Sequence, residues 1–189
     1  MPEKLSLEEQ KQLLDIAREA VNATARNQPL PKLDPNNYSY TLTDQGASFV
    51  TLSLDGRLRG CIGTLEAYEP LYLDVQKRAV QAASQDPRFN PVRPIELDRV
   101  KIEVSRLSQP EPLEYDSPEE LLQLLKPGED GVILSDGNRR ATFLPQVWAE
   151  LPDPRQFLRQ LCRKMGVSPD LWEHKKLNVE TYRVDEFSE

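Results

Sequence analysis

The residues best suited to chemistry lie together in one short segment, Leu58-Arg59-Gly60-Cys61-Ile62-Gly63. The thiol of Cys61 could act as a nucleophile or as a thiol donor. The guanidinium of Arg59, two residues away, would favour the thiolate and could also bind a carboxylate or a phosphate. Glycine inside a strand often marks a bulge or a close approach by another group, so Gly60 and Gly63 are candidates for contact with a ligand. The segment is therefore a candidate catalytic or ligand-binding site.

The same segment also has a purely structural interpretation. In it Cys61 is a small buried side chain, Gly60 is a bulge, and the aliphatic part of Arg59 lies over Leu52. The residues by themselves leave both interpretations open.

A second group of functional side chains follows a predicted helix, in Asp86-Pro87-Arg88-Phe89. It combines a carboxylate, a guanidinium and an aromatic ring, which suits ligand binding. The structural alternative is a helix-ending turn in which Asp86 pairs with Arg88 and Phe89 enters the core. On a later strand, Glu103 and Ser105 share the polar face and could line a cleft, although a solvated face is the ordinary role of such residues.

Few other side chains offer acid–base or metal chemistry. The one histidine, His174, lies among charged residues and is predicted to be at the surface. A single histidine and two distant cysteines predict no metal site, and the sequence indicates no cofactor. Cys162 falls on an apolar helical stripe with Leu158 and Leu161, so we expect a buried core thiol there.

The first candidate segment is predicted to lie in a β-hairpin. Residues 47–54 and 57–64 alternate with period two, and Asp55-Gly56 between them suits a type I′ turn. A regular hairpin would pair Leu54 with Arg57, Leu52 with Arg59, and Val50 with Cys61. Alternation then puts Arg57, Arg59 and Cys61 on one presented face and sends Leu58 and Ile62 toward the core.

Helices and further strands are predicted on both sides of this hairpin. Ser6 and Glu9 fit a capping box that begins a helix over about 7–25. Pro70 opens a second helix, which stops before Asp86 because the residue preceding a proline avoids helical geometry. The alternation around Ile102 predicts a half-buried strand.

The second half of the chain repeats this mixture of elements. The predicted elements are a short helix after Ser117-Pro118, a hairpin of residues 131–135 and 139–144, helices over about 145–150 and 154–165, a helix cap at Gly166 and a last strand over 177–184. Hairpins mixed with separate helices predict an α+β class, with antiparallel sheets and helices packed on them.

Composition excludes several classes of function. The net charge is −7, and an acidic chain without a basic tract is a poor candidate for binding nucleic acid or an anionic membrane surface. No apolar run approaches the roughly 20 residues that span a bilayer. The first residues, Met1 to Ser6, do not resemble an export signal, so we expect a cytoplasmic protein.

Taken together, these motifs resemble the signature of the AMMECR domain family. The motifs that carry the resemblance are Leu58-Arg59-Gly60-Cys61-Ile62-Gly63-Thr64, Ala82-Ala83-x-x-Asp86-x-Arg88-Phe89, Ile102-Glu103-Val104-Ser105, Pro127-Gly128-x-x-Gly131-Val132, Thr142-Phe143-Leu144-Pro145-Gln146-Val147-Trp148, Phe157-Leu158 and Leu161-Cys162-x-Lys164. They extend over nearly the whole chain, which is then a single AMMECR-type domain.

The resemblance implies a two-part α+β fold with a cleft between a larger and a smaller subdomain, near which the signature residues gather. We expect the smaller part at about 46–95 and the larger part in 1–45 and 96–189. Prokaryotic members resemble component A of a three-part system, so the implied partners are a Memo-like protein and a radical S-adenosylmethionine protein.

Two functional hypotheses follow. In the first, the chain binds a small anionic ligand or performs thiol-assisted chemistry in the cleft, with Cys61 and Arg59 as its central residues. In the second, it is a non-catalytic interaction or adaptor module. The sequence leaves open whether the protein is an enzyme.

Overall fold

The computed structural model describes residues 4–189, which form two compact units. The first unit contains the chain up to Leu107 together with Asp185–Glu189, and the second contains Ser108–Val184. The expected smaller part, residues 46–95, lies wholly inside the first unit. That part and the cleft stay predictions. The prediction that the N-terminus is not an export signal concerns Met1 to Ser6. The first three of these residues lie outside the described residues.

The described residues contain helices and antiparallel strands, which confirms the α+β class. The helices are α1 (Leu7–Ala25), α2 (Tyr40–Thr43), α3 (Leu71–Ser84), α4 (Pro118–Leu124), α5 (Pro154–Met165) and α6 (Leu171–His174). The strands are β1 (Gln45–Leu54), β2 (Arg57–Gly63), β3 (Glu69–Pro70), β4 (Val100–Leu107), β5 (Glu111–Pro112), β6 (Gly131–Asp136), β7 (Arg139–Phe143), β8 (Asn178–Tyr182) and β9 (Val184–Ser188). Short 3-10 turns occur at Pro35–Asn37, Pro94–Glu96 and Pro145–Ala149.

The first unit is a sheet with helices on one face. Its strands lie in the order β2-β1-β4-β9, and β3 also pairs with β1. Helices α1 and α3 pack on each other and on this sheet. The inward face of the sheet contributes Val50, Leu52, Ile102 and Val104, all fully buried, to one apolar core. We call the opposite side the outer face of the sheet.

The predicted start of α1 is confirmed in detail. The Ser6 hydroxyl accepts a hydrogen bond from the Glu9 N–H at 3.3 Å, and the Glu9 carboxylate accepts one from the Ser6 N–H at 2.8 Å. These reciprocal bonds satisfy backbone donors that the first helical turn leaves unpaired.

The hairpin has the predicted turn but not the predicted register. Asp55 and Gly56 have φ angles of 52° and 77°, as a type I′ turn requires. Ser53 pairs with Leu58, but Leu52 then pairs with Gly60, so Arg59 is an extra residue in β2. The predicted pairs Leu52–Arg59 and Val50–Cys61 are therefore wrong, because β2 contains a β-bulge.

The packing of α3 explains the bulge. Since Leu52 and Val50 face the core, the regular register would have directed Arg59 and Cys61 into it. The bulge instead turns Gly60 toward α3, where an added Cβ would lie 2.2 Å from the carbonyl oxygen of Ala82. It also puts Cys61 on the outer face, opposite Thr51.

The bulge changes the roles of the hydrophobic neighbours as well. Leu58 pairs with Ser53 on the outer face and is 45% exposed. It is therefore not the predicted core residue. Ile62, beyond the bulge, packs against the core as predicted.

The second unit holds a sheet in the order β5-β8-β6-β7 around its own core. Trp148 and Phe157 stack in that core with ring centroids 3.7 Å apart. Cys162 is fully buried there, which confirms the predicted core thiol, and Gly166 ends α5 in the left-handed region with φ 79°.

Two predictions for this half are wrong. The segment 145–150 forms a 3-10 turn, Pro145–Ala149, rather than an α-helix. The last strand is not one segment over 177–184. Strand β8 ends at Tyr182, and β9 is hydrogen-bonded to β4 in the first sheet.

Candidate functional site

Cys61 lies in a polar row across the outer face of the first sheet. Strand pairing puts Cys61 of β2 beside Thr51 of β1, and Thr51 beside Glu103 of β4. The Thr51 hydroxyl donates a hydrogen bond to the Cys61 sulfur at 3.3 Å. Cys61 is half-buried. Its thiol therefore has a hydrogen-bond partner, and the residue is not fully enclosed in a core.

Asp86 fixes the backbone at Cys61. This carboxylate is 4% exposed and lies just after the end of α3. Its Oδ2 accepts a hydrogen bond from the Cys61 N–H at 2.9 Å and one from Arg88 Nη2 at 2.7 Å. Its Oδ1 accepts from the Nε and the backbone N–H of Arg88 at 2.9 and 3.1 Å. The Arg88 guanidinium, with these backbone bonds, holds the pKa of Asp86 well below its usual range.

Arg88 completes a small cluster around Cys61. Its guanidinium donates to the Cys61 carbonyl at 3.4 Å and lies 5.4 Å from the centre of the Phe89 ring. The hydrogen bond to Asp86 is the main reason that the pKa of Arg88 is raised, and the Cys61 side chain adds to the rise. The Arg88 side chain is nevertheless 55% exposed. We call Cys61, Asp86 and Arg88 the thiol–arginine cluster.

The two arginines of the signature have different surroundings. Arg59 donates to both Glu96 oxygens at 3.0 and 3.1 Å and to the carbonyls of Asn90 and Pro91. Its side chain is only 14% exposed. The Arg59 guanidinium lowers the pKa of Glu96 to about 2. Arg59 thus ties the loop after α3 to the edge of β2, and its role toward a ligand stays a prediction.

Both glycines of the segment make close packing contacts within the first unit. The space beside Gly60 is taken by the Ala82 carbonyl, and a Cβ on Gly63 would lie 2.2 Å from the Phe49 ring. Close approach by the chain's own atoms is sufficient reason for glycine at both positions. Their predicted contact with a ligand stays a prediction.

The remaining predicted residues lie near the cluster in different ways. Glu103 is half-buried in the row with Thr51 and Cys61, whereas Ser105 is 4% exposed one row further, opposite Phe49. Phe89 is half-buried beside Arg88. Thr51 is not among the predicted site residues, although its alternation with the buried Val50 and Leu52 places it on the outer face. Glu96 gave no comparable signal, because only the tertiary structure brings it to Arg59.

The described residues include no group of three or more His, Cys, Asp or Glu side chains placed to hold a metal ion. Among residues 4–189, no helix is long and apolar enough to span a membrane. His174 is exposed, as predicted. The side chains of the cluster offer a thiol, a guanidinium and a carboxylate, and Thr51 adds a hydroxyl beside the thiol.

We expect Cys61 to react with iodoacetamide at least about tenfold faster than Cys162 in the folded protein, because reagent access requires exposure. Cys162 is fully buried, and burial raises the pKa of its thiol. Mass spectrometry of digested samples over time measures both rates in one tube. Unfolding in urea should abolish the difference. Equal rates in the folded state would contradict the placement of Cys61.

The fold belongs to the α+β class, and known proteins with similar sequences identify the family of this chain. The AMMECR1 family model matches residues 14–187. The chain is 39% identical over 186 residues to a protein of Methanothermobacter thermautotrophicus, covering 98% of this chain and 96% of that protein. Protein MK0488 of Methanopyrus kandleri is 37% identical over 193 residues, covering 100% of this chain and 92% of that protein.

A solved structure is also similar to this chain. The crystal structure of the uncharacterized protein PH0010 from Pyrococcus horikoshii has a TM-score of 0.84 and 33% identity to this chain, covering 99% of this chain and 94% of that one. This chain belongs to the AMMECR1 family.

Proposed function

We propose that the protein binds a small anionic ligand, with a carboxylate or phosphate group, at the thiol–arginine cluster. The observation that carries the proposal is the geometry of Arg88. Its guanidinium is held in place by the buried Asp86 carboxylate, and the side chain as a whole is still 55% exposed beside a cysteine.

The hydrogen bonds of Arg88 leave one side of the guanidinium for a ligand. Nε and Nη2 are used by Asp86 and by the Cys61 carbonyl. Nη1 donates no hydrogen bond to any residue in the described range. A guanidinium that is already oriented loses little side-chain entropy on binding, and its hydrogen bonds to an anion are charge-assisted. These features favour Arg88 over Arg59 as the anion contact.

In this proposal Cys61 is the second contact for the ligand. Its thiol is held by Thr51 on the outer face, beside the backbone that Asp86 and Arg88 fix. Glu103, Ser105 and Phe89 would border the ligand from the same face or the same loop. Thiol-assisted chemistry at Cys61 and a role for the predicted cleft remain part of the proposal. So do a cytoplasmic location and the Memo-like and radical S-adenosylmethionine partners that the resemblance implies.

Titration with phosphate and with malonate, followed by NMR of the amide groups of residues 61 and 86–89, tests the proposal. We expect saturable shifts in the wild type and about tenfold weaker binding in Arg88→Gln, because hydrogen bonds to charged groups contribute about 1.5–3 kcal/mol. Arg88→Lys keeps the positive charge beside Asp86. It should also bind the anions more weakly than the wild type, because lysine lacks the planar guanidinium with its several N–H donors.

Arg155→Gln is a matched control for this experiment. Arg155 also pairs with a carboxylate, Glu173, is 50% exposed, and lies 5.6 Å from an aromatic ring, that of Trp172. Its replacement should change the affinity less than about twofold. The proposal fails if neither anion gives saturable shifts at the cluster, or if folded Arg88 variants bind as tightly as the wild type.

A further inference from the structure

A second surface of the first unit combines exposed apolar and basic side chains. At one end of the hairpin lies Leu58, which is 45% exposed on the outer face. Lys101 of β4 is exposed, and it shares the pairing partner Ser53 with Leu58 on the outer face. In the turn after α3, Arg93 and Ile95 are 74% and 79% exposed. We call these four residues the basic–apolar edge.

The charge of this region is opposite to that of the chain. Residues 55–61 and 86–101 contain six basic and four acidic side chains, in a chain whose net charge is −7. Three of the four acidic groups are already paired within the region: Asp55 with Arg99, Asp86 with Arg88, and Glu96 with Arg59. Lys101 makes no ion pair with other described residues, and Arg93, although it pairs with Glu96, is 74% exposed. The edge is therefore a positive surface on an acidic protein.

Internal bonds hold the two halves of the edge in place. The Arg59–Glu96 ion pair joins β2, next to Leu58, to the turn that carries Ile95. Glu96 also accepts a hydrogen bond from the Arg93 N–H at 2.8 Å, and Arg59 donates to the Asn90 carbonyl at 2.8 Å. A surface that is already ordered loses little conformational entropy when a partner docks. Single exposed apolar residues are ordinary, but here two of them are fixed beside exposed cations, of which Lys101 makes no ion pair in the described part of the chain and Arg93 pairs with Glu96 at 3.6 Å.

We propose that the basic–apolar edge docks an acidic segment of a partner protein that carries at least one large apolar side chain. The carboxylates of such a segment complement Arg93 and Lys101, and its apolar side chain covers Leu58 and Ile95. The chemistry of the edge favours a protein over a nucleic acid, because Leu58 and Ile95 are aliphatic and offer no aromatic ring for base stacking. This site shares no residue with the ligand site proposed at Arg88.

The test uses the whole chain and a synthetic peptide in which glutamates flank a Leu-Leu pair. Fluorescence anisotropy of the labelled peptide gives the dissociation constant, and NMR shifts locate the site. We expect binding that weakens as salt is raised, with shifts of the amide signals of residues 58, 93–95 and 101. Ile95→Asp should weaken it about tenfold and Arg93→Glu about fivefold, since few residues dominate such interfaces.

Matched variants outside the edge control for charge and hydrophobicity. Leu7→Asp changes an apolar residue that is 84% exposed, and Lys32→Glu reverses an exposed charge in the same unit. Both should bind the peptide within about twofold of the wild type. Substitution of serines for the peptide's leucines should weaken binding as much as Ile95→Asp does.

Four outcomes would overturn the proposal. They are failure of the peptide to bind, equal losses in the control variants, tighter binding of a single-stranded oligonucleotide, and a dimer in sedimentation analysis that Ile95→Asp abolishes. The last result would assign the edge to a second copy of this chain.

Discussion

Replacement of Gly60 by alanine should lower the free energy of unfolding by about 3 kcal/mol, the upper part of the usual range for overpacking. The added Cβ would lie 2.2 Å from the backbone oxygen of Ala82. Because that oxygen belongs to α3, relief of the clash requires movement of the helix or of β2 rather than a side-chain rotation. Urea denaturation followed by circular dichroism measures the loss.

Gly56→Ala, in the same hairpin, is the control for this experiment. Gly56 has a φ of 77° and no atoms within 4 Å of an added Cβ, so its replacement costs only backbone strain, about 1 kcal/mol. The comparison also tests the bulge. In a regular hairpin Gly60 would pair with Thr51 on the outer face and tolerate alanine. A cost at Gly60 no larger than that at Gly56 would therefore contradict the observed register.

Replacement of Asp86 by asparagine should cost about 3 kcal/mol at pH 7, because it removes a buried charge that accepts four hydrogen bonds. Arg88 would lose the partner that orients it, and the Cys61 N–H would keep at most a neutral acceptor. The control is Asp55→Asn, whose carboxylate pairs with Arg99 but is 58% exposed. Exposed pairs contribute little, so we expect a loss of about 0.5 kcal/mol there.

The same substitution should change the dependence of stability on pH. The pKa of Asp86 is lowered by folding, so its stabilisation is present above the unfolded value of about 3.9 and is lost as the pH falls through the folded value. The lowered pKa of Glu96, about 2, acts in the same direction. The wild type should therefore lose stability from about pH 5 downward, and Asp86→Asn should lose less over that interval. If the free energies of unfolding of the wild type and of Asp86→Asn fell equally as the pH is lowered, the result would contradict this role of Asp86.

Sequence alone determined the features that depend on neighbouring residues. Ser6 and Glu9 predict the start of α1, Asp55-Gly56 predicts the turn, and Gly166 predicts the end of α5. Each of these features depends on a hydrogen bond or a φ angle within a few residues, so a short stretch of sequence is enough to predict it. The family signature around Cys61 is likewise local, because it lies within the consecutive residues Leu58 to Thr64.

Tertiary structure decided which of the predicted site residues meet and which way they face. The bulge at Arg59 arises because α3 approaches β2 closely at Gly60, and no local pattern reports the position of a helix that follows later in the chain. The same packing brings Asp86 and Arg88 to the backbone of Cys61 and brings Glu96 to Arg59. Sequence alone thus predicts Cys61 and both arginines as site residues, and their role toward a ligand stays a prediction. Long-range packing decides that Arg59 holds the loop after α3 and that Arg88 stays exposed beside the cysteine.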